Sequence, residues 1–352
     1  MSVIRVSLPG RSYEIKIGGG LLSQTGPEAA RVLRGRKIAV VTDSNVAPLL
    51  GGTVLESLRG AGFDAALLTV PAGEKSKSPA MLARLWEQMA SFGLTRADAV
   101  AALGGGVVGD LAGFAAATLL RGVDLIQLPT TLLAQVDSSI GGKVAVDLDA
   151  GKNLAGCFYQ PKLVLMDTGA LASLPDRTFS DGMAEVVKYG CIFDEPFFRR
   201  LLACGSRAGV MAEIESVDAV CCDWKRKTVE RDERDTGERM LLNFGHTFGH
   251  VYEKYYRYET YTHGEAVAAG MISAARLGER LGVTEPGTAA RIGEILRVFG
   301  LPTEIDAPRE ALEETMRIDK KTLGGEIRFI FLRRIGEAEA VSIPLAELFE
   351  QL

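Results

Sequence analysis

The sequence predicts an α/β N-terminal domain followed by a mostly α-helical C-terminal domain, with a boundary near Leu174–Arg177. Two observations predict it. Short β-branched runs alternate with helical stretches through the first half, the order of a largely parallel sheet with helices on its faces. From about Pro175 helical periodicity dominates to roughly Phe299, punctuated by Pro196, Pro286 and Pro302. The expected domains are 1–174 and 175–352, and a chain of 352 residues has room for both.

In chain order, Val3–Leu8 and Tyr13–Ile17 alternate and predict a hairpin across Pro9–Gly10. Lys37–Thr42 (KIAVVT) reads as a buried strand ending at Asp43, with a helical stretch to about Arg59. Ala65–Val70 is a second strand, and Pro79–Phe92 is a helix with proline in its first turn, where the missing N–H costs nothing. Asp98–Leu103 is a third strand, followed by glycines and the apolar helix Val107–Leu120. Val123–Leu128 is a fourth strand, and Thr131–Ser138 a further helix. Late in the chain only Ile327–Leu332 reads as a strand, and there is no internal repeat.

Composition narrows the function classes. Apolar residues make up 47% and charged residues 24%, which excludes intrinsic disorder. The net charge is 40 − 45 = −5 and no basic stripe stands out, so no nucleic-acid partner is expected. The five cysteines are odd in number and form no C-x-x-C, which argues against a disulfide framework or a thiolate zinc site. The N-terminus carries no apolar core of signal-peptide length, and the most apolar segment, Val107–Leu120, is too short to cross a bilayer. A cytoplasmic protein with no membrane partner is expected.

Several residue sets are suited to chemistry. Gly104-Gly105-Gly106-Val107-Val108-Gly109 is a literal G-x-G-x-x-G between a strand and a helix. Glycines let backbone approach a phosphate, and the helix N-terminus supplies amides and a favourable dipole. The pattern falls at a later turn than the dinucleotide fingerprint occupies, so a tight buried turn is the competing reading. Asp43 is suited to a ribose hydroxyl, and equally to capping the turn that follows. The three histidines, His246, His250 and His263, lie within 18 residues. His246 and His250 are four apart and would share one helical face with Asn243, a spacing that suits a metal or simply a polar helix face. Glu185 and Lys188 stand three apart on an otherwise apolar helix, suited to a site or to a salt bridge. Lys143 and Lys152 flank a glycine-bearing stretch that could bind an anion, whereas Lys225–Lys227 and Lys320–Lys321 have the commoner reading of solvated faces.

Together these segments resemble the 3-dehydroquinate synthase family. The resemblance is carried by Pro71 to Lys77 (PAGEKSK), Gly104 to Asp110 (GGGVVGD) and Arg121 to Thr131 (RGVDLIQLPTT). It continues in Gln135 to Lys143 (QVDSSIGGK), Gly151 to Leu154 (GKNL) and Gly182 to Lys188 (GMAEVVK). Leu242 to His246 (LNFGH), His263 to Val267 (HGEAV) and Asp319 to Lys321 (DKK) complete it, in order along nearly the whole chain.

The resemblance implies an NAD-binding N-terminal domain and a helical domain that binds metal and substrate. It implies NAD contacts from Asp43, Asn45, Glu74, Lys75, Ser76, Lys77, Gly104, Gly105, Gly106, Val107, Asp110, Thr130 and Thr131. Lys143, Lys152, Ala170, Leu171, Ala172 and Ser173 join that set; the family usually has threonine at the last position, and the hydroxyl is kept. One divalent metal, zinc or cobalt, would be held by Glu185, His246 and His263, leaving His250 off the metal. A sugar-phosphate substrate would meet Asp137, Lys143, Asn153, Lys188, Lys225, Arg239, Asn243, His250 and Lys321. Arg121 resembles an arginine that reaches a neighbouring subunit's site, which implies a homodimer. The implied reaction converts 3-deoxy-D-arabino-heptulosonate 7-phosphate to 3-dehydroquinate and phosphate, a carbon–oxygen lyase step of the shikimate pathway. A cyclitol-forming sugar-phosphate cyclase and a metal-dependent polyol dehydrogenase are the alternatives.

Overall fold

The computed structural model describes residues 1–318, 322–323 and 326–352, and the chain divides into two compact units. The first comprises 1–174 and 214–234, the second 175–213 and 235–352.

The first unit is α/β. It runs β1 (Ser2–Val6), β2 (Tyr13–Gly18), α1 (Thr25–Val32), β3 (Lys37–Asp43), α2 (Gly52–Gly60), β4 (Asp64–Val70), α3 (Pro79–Ser91), β5 (Ala99–Gly104), α4 (Gly106–Thr118) and β6 (Asp124–Pro129). A hairpin of β7 (Lys143–Leu148) and β8 (Gly151–Phe158) then precedes β9 (Leu163–Asp167). Seven strands form one sheet in the order β1-β2-β9-β6-β5-β3-β4, parallel throughout except for the β1–β2 hairpin.

The near-continuous apolar strands follow from burial on both faces. Successive side chains alternate across a strand. Ile38, Val40, Ala101 and Leu103 therefore enter one core, with Val54 and Leu58 of α2. Ala39, Val41, Val100 and Ala102 enter the other, with Leu85 of α3 and Leu111 of α4.

The strand order explains the position of the glycine turn. The chain lays β4 on one side of β3, then crosses to lay β5 on the other. The direction of winding reverses there, and the crevice outside the carboxyl ends of such neighbouring strands is where α/β sheets bind ligands. Asp43 ends β3 and Gly104 ends β5. The turn comes late in sequence but flanks the reversal point in space.

The second unit is largely helical. It opens with α5 (Asp176–Phe193), α6 (Glu195–Cys204) and α7 (Arg207–Ala212). Helix α8 (Ile214–Arg231) then returns to the first unit, so the region beyond 174 is not the single continuous domain expected. Its Cys222 and Val229 join Ile15, Ile17 and Met166 in one core, which explains the return. The second unit resumes with α9 (His246–Tyr255), α10 (His263–Arg280), α11 (Thr288–Val298) and α12 (Arg309–Ile318). β10 (Thr322–Leu323), β11 (Glu326–Arg334), β12 (Glu337–Pro344) and α13 (Leu345–Glu350) complete it. β11 carries the expected late strand, and it pairs with β10 and β12 in a small antiparallel sheet. Helices α9 and α10 approach closely: a Cβ on Gly270 would stand 2.1 Å from the Gly245 carbonyl oxygen.

Candidate active site

In the first unit, the residues singled out for a nucleotide gather at the carboxyl ends of the parallel strands. Asp43 ends β3, a short turn over Glu74–Ser76 follows β4, Gly104–Gly106 joins β5 to α4, Thr130 and Thr131 follow β6, and Ala170–Ser173 lie in the turn after β9. Asp43 Oδ1 accepts the amide hydrogens of Asn45 (2.8 Å) and Val46 (3.0 Å). Among the described residues Oδ2 accepts none, so capping and a ribose contact can use different oxygens. A Cβ on Gly106 would meet Ser138 Oγ at 3.1 Å, so little room exists for a side chain at the first turn of α4. A cavity of about 440 Å³ opens beside Ala170, Ala172 and Ser173, with Leu49, Leu50 and Thr53 on its wall.

A charged cluster joins the turn after β4 to the β7–β8 hairpin. Lys77 Nζ lies 2.6 Å from Asp110 on α4 and pairs with Asn153 Oδ1, and the Asp147 amide donates to the Lys77 carbonyl at 2.9 Å. Burial works against the Lys77 charge, but Asp110, Glu74 and Asp147 outweigh it and raise its pKa. Lys152 Nζ stands 3.8 Å from Glu74. Asn153 has φ +57°, unusual for a residue with a Cβ, and Asp147 Oδ1 accepts its amide hydrogen at 2.8 Å. Asp147 was not among the sequence candidates; its position opposite Asn153 near the hairpin turn was the missing information. Lys143 is exposed at the start of β7. Lys225, read from sequence as part of a solvated face, is buried on α8 and pairs with Asp137. Arg121 is exposed, and both it (φ +70°) and Leu120 (φ +51°) take left-handed backbone conformations.

In the second unit, Glu185 on α5, His246 at the start of α9 and His263 at the start of α10 converge. Glu185 Oε1 lies 3.8 Å from His246 Nε2 and 3.9 Å from His263 Nε2. Ligands of a tetrahedral zinc, each ~2.1 Å from the ion, stand ~3.4 Å apart; the two Glu185–histidine distances are near that, and all three ligand atoms lie within 4.8 Å of one another. Glu185 is 1% exposed, and Lys188, equally buried, pairs with it. Lys188 serves Glu185 Oε2, whereas among the described residues Oε1, the oxygen both histidines face, accepts no hydrogen bond, a cost that a cation between the three side chains would remove. The histidine rings are aimed by their other nitrogens: His246 Nδ1 is 3.2 Å from the Phe244 carbonyl, and His263 Nδ1 is 3.3 Å from Glu253 Oε1. Desolvation opposes a charge on His263, but Glu253, Glu185 and Asp181 overcome it and raise its pKa to about 9.

His250 is exposed and outside the triad, its ring centroid 5.6 Å from that of His246. The expected common face with Asn243 needs correction. Asn243 ends a 3₁₀ turn, and Gly245 takes φ +80° before α9 begins at His246. Arg239, 2% exposed, lies in that same turn. Lys320 and Lys321 lie outside the described residues. Helix α5 also grips the start of α10: Asp181 Oδ1 accepts the Gly264 amide hydrogen at 2.6 Å, and Arg177 makes a two-pronged contact with Glu265. Gly264 is needed there, since a Cβ would stand 2.1 Å from the Asp181 carbonyl oxygen. Glu253 was not among the sequence candidates either, although it follows His246 by seven residues, two helical turns.

Comparison with known proteins decides the family. Residues 67–181 match the family model described as 3-dehydroquinate synthase N-terminal, and residues 182–322 the model described as 3-dehydroquinate synthase C-terminal. A 3-dehydroquinate synthase of Clostridium beijerinckii is 48% identical over 340 residues, covering 96% of this chain and 97% of its own. The chain belongs to the 3-dehydroquinate synthase family. Among solved structures, a 2-deoxy-scyllo-inosose synthase complexed with carbaglucose-6-phosphate, NAD+ and Co2+ superposes with a TM-score of 0.89 at 26% identity, covering 99% of this chain and 98% of that one. A 2-epi-5-epi-valiolone synthase from Streptomyces hygroscopicus subsp. jinggangensis 5008, with NAD+ and Zn2+ bound, gives 0.87 at 26% identity, covering 100% and 97%. Among the described residues no helix is long and apolar enough to cross a membrane.

Proposed function

We propose that the chain converts 3-deoxy-D-arabino-heptulosonate 7-phosphate to 3-dehydroquinate and phosphate, using NAD and one divalent metal. The observation that carries this reading is the near-full-length identity of 48% to a 3-dehydroquinate synthase. The nucleotide-type strand ends and the Glu185–His246–His263 triad support it.

Oxidation at C5 would make the C6 proton acidic, phosphate would leave C7, the C5 ketone would be reduced, and the opened ring would close by an aldol step. When bound, NAD would take and return the hydride, and zinc or cobalt would polarise the C5 oxygen. The chain's own residues bind and orient. Asp43 would accept from the ribose, and the amides at Gly105–Val107 would meet the pyrophosphate. The apolar wall beside Ala170–Ser173 is suited to a flat ring, and Asn45, Glu74–Lys77, Asp110, Thr130, Thr131 and Lys152 would complete the NAD contacts. Glu185, His246 and His263 would hold the metal. Lys143, Lys188, Lys225 and Arg239 would neutralise the substrate carboxylate and phosphate, with Asn153 and Asn243 as polar partners. Asp137, which pairs with Lys225, and His250 would relay protons during oxidation. Lys321 would join the substrate set.

A homodimer would follow from the family resemblance at Arg121, which is exposed and so available to a neighbouring subunit. A cytoplasmic location, free of nucleic acid, fits five free cysteines and an acidic net charge.

The 26%-identical 2-deoxy-scyllo-inosose synthase, complexed with carbaglucose-6-phosphate, suggests the competing substrate class, a sugar phosphate without a carboxylate. Phosphate release should be measured from the heptulosonate phosphate and from glucose 6-phosphate, each with NAD and Zn2+. Release from the first alone is expected; release from the second alone would replace the proposed substrate.

A further inference from the structure

We infer that Glu253 is a positioning residue for the metal centre, fixing the ring of His263 so that its Nε2 faces Glu185. The inference rests on the metal reading above and adds a residue that no part of it requires.

At His263 only the ring is left to be oriented. Its backbone is already fixed: Thr262 and Glu265 form a reciprocal cap at the start of α10, and Asp181 holds the next amide, that of Gly264, at 2.6 Å. Rotation of the imidazole is the remaining freedom. Glu253 lies on α9, 4% exposed, with Oε1 3.3 Å from His263 Nδ1. An ionised carboxylate only accepts hydrogen bonds, so Nδ1 must carry the hydrogen. When a metal displaces the other ring proton, the lone pair is left on Nε2, the nitrogen 3.9 Å from Glu185 Oε1. Ring orientation and tautomer are thus both set by Glu253. His246 is treated alike by a different device, the Phe244 carbonyl at 3.2 Å, so both imidazoles present Nε2 to the same carboxylate oxygen. Two rings aimed at one oxygen by unrelated partners point to a ligand held between them rather than to chance packing. Glu253 and His246 come from one helix, seven residues apart, so α9 supplies one ligand directly and orients the other.

The test is Co2+ titration of the chelator-stripped full chain, followed by the visible absorption of the bound ion, with thermal melting of the metal-free protein alongside. Loss of a hydrogen-bond partner to a ligating histidine typically weakens metal affinity about 10- to 100-fold, and that is expected of Glu253→Ala, with an altered Co2+ spectrum. Glu253→Gln keeps an acceptor without the charge; since neutral bonds have about half the strength of charge-assisted ones, its loss should be about 3- to 10-fold. Should Glu253→Ala fail to fold, Glu253→Gln decides alone. A lowered melting temperature with native Co2+ affinity and spectrum would make Glu253 a structural residue and overturn the inference. If the native chain binds no Co2+, the metal reading itself fails and this inference goes with it.

Discussion

Asp43 offers a test in which capping and cofactor binding separate. Its Oδ1 accepts two amide hydrogens in the turn after β3, while among the described residues Oδ2 accepts none. Asparagine can keep the first set through its carbonyl oxygen but puts an NH2 where Oδ2 stood, and that group cannot accept from a ribose hydroxyl. A hydrogen bond to a charged partner contributes about 1.5–3 kcal/mol. At a factor of ten per ~1.4 kcal/mol, Asp43→Asn should raise the NAD dissociation constant about 10- to 150-fold. Its melting temperature should stay native. Asp43→Ala loses the capping oxygen as well, which costs about 0.5–2 kcal/mol of stability and should lower melting by a few degrees. Calorimetric NAD titration and thermal melting of both variants read the two effects independently. Native NAD affinity in Asp43→Asn would refute the ribose contact and leave Asp43 as a cap alone.

Other outcomes follow from the same geometry. Glu185→Gln, His246→Ala or His263→Ala should each leave the purified protein without metal and inactive, while His250→Ala should slow turnover with metal content unchanged; metal analysis of the four variants checks this. Gly106→Val should block NAD binding, because a side chain that meets Ser138 Oγ at 3.1 Å already at its Cβ would displace the turn carrying the first amides of α4, as calorimetry would read. Lys225→Met should raise KM for the sugar phosphate at least tenfold, since it removes a buried cation that pairs with Asp137, whereas NAD affinity should hold. Sedimentation should show a dimer, and Arg121→Ala should lower activity without dissociating it.

Much of the α/β unit is legible in the sequence because its strands are buried on both faces and read as β-branched runs: β3, β4, β5 and β6 fall within two residues of their expected limits. The β7–β8 hairpin is not legible, because β8 (GKNLAGCF) is largely exposed and lacks an alternating apolar face. Nor is β12, whose residues EAEAVSIP are mostly half-buried. Helix α8 shows its helical period but not which core its apolar face enters, so its return to the first unit has no local signal. At the site, residue type was informative and spacing was misleading. Glu185 and Lys188 stood out as charges on an apolar helix and are indeed buried together. The histidine spacing pointed to His250, yet the third position in space is filled by His263 from the next helix. Glu253 and Asp147 act through residues distant in sequence, so only the folded chain reveals them.

The most direct measurement is the redox balance of a single reaction mixture. Heptulosonate phosphate is incubated with the Zn2+-loaded chain and NAD at a small fraction of the substrate concentration, and phosphate and NADH absorbance are followed together. One phosphate released per substrate, with no accumulation of NADH, is the expected result, because the hydride taken at C5 must be returned before the ring closes. NADH formed in step with substrate consumption, without phosphate, would contradict the synthase reaction and make the chain a dehydrogenase.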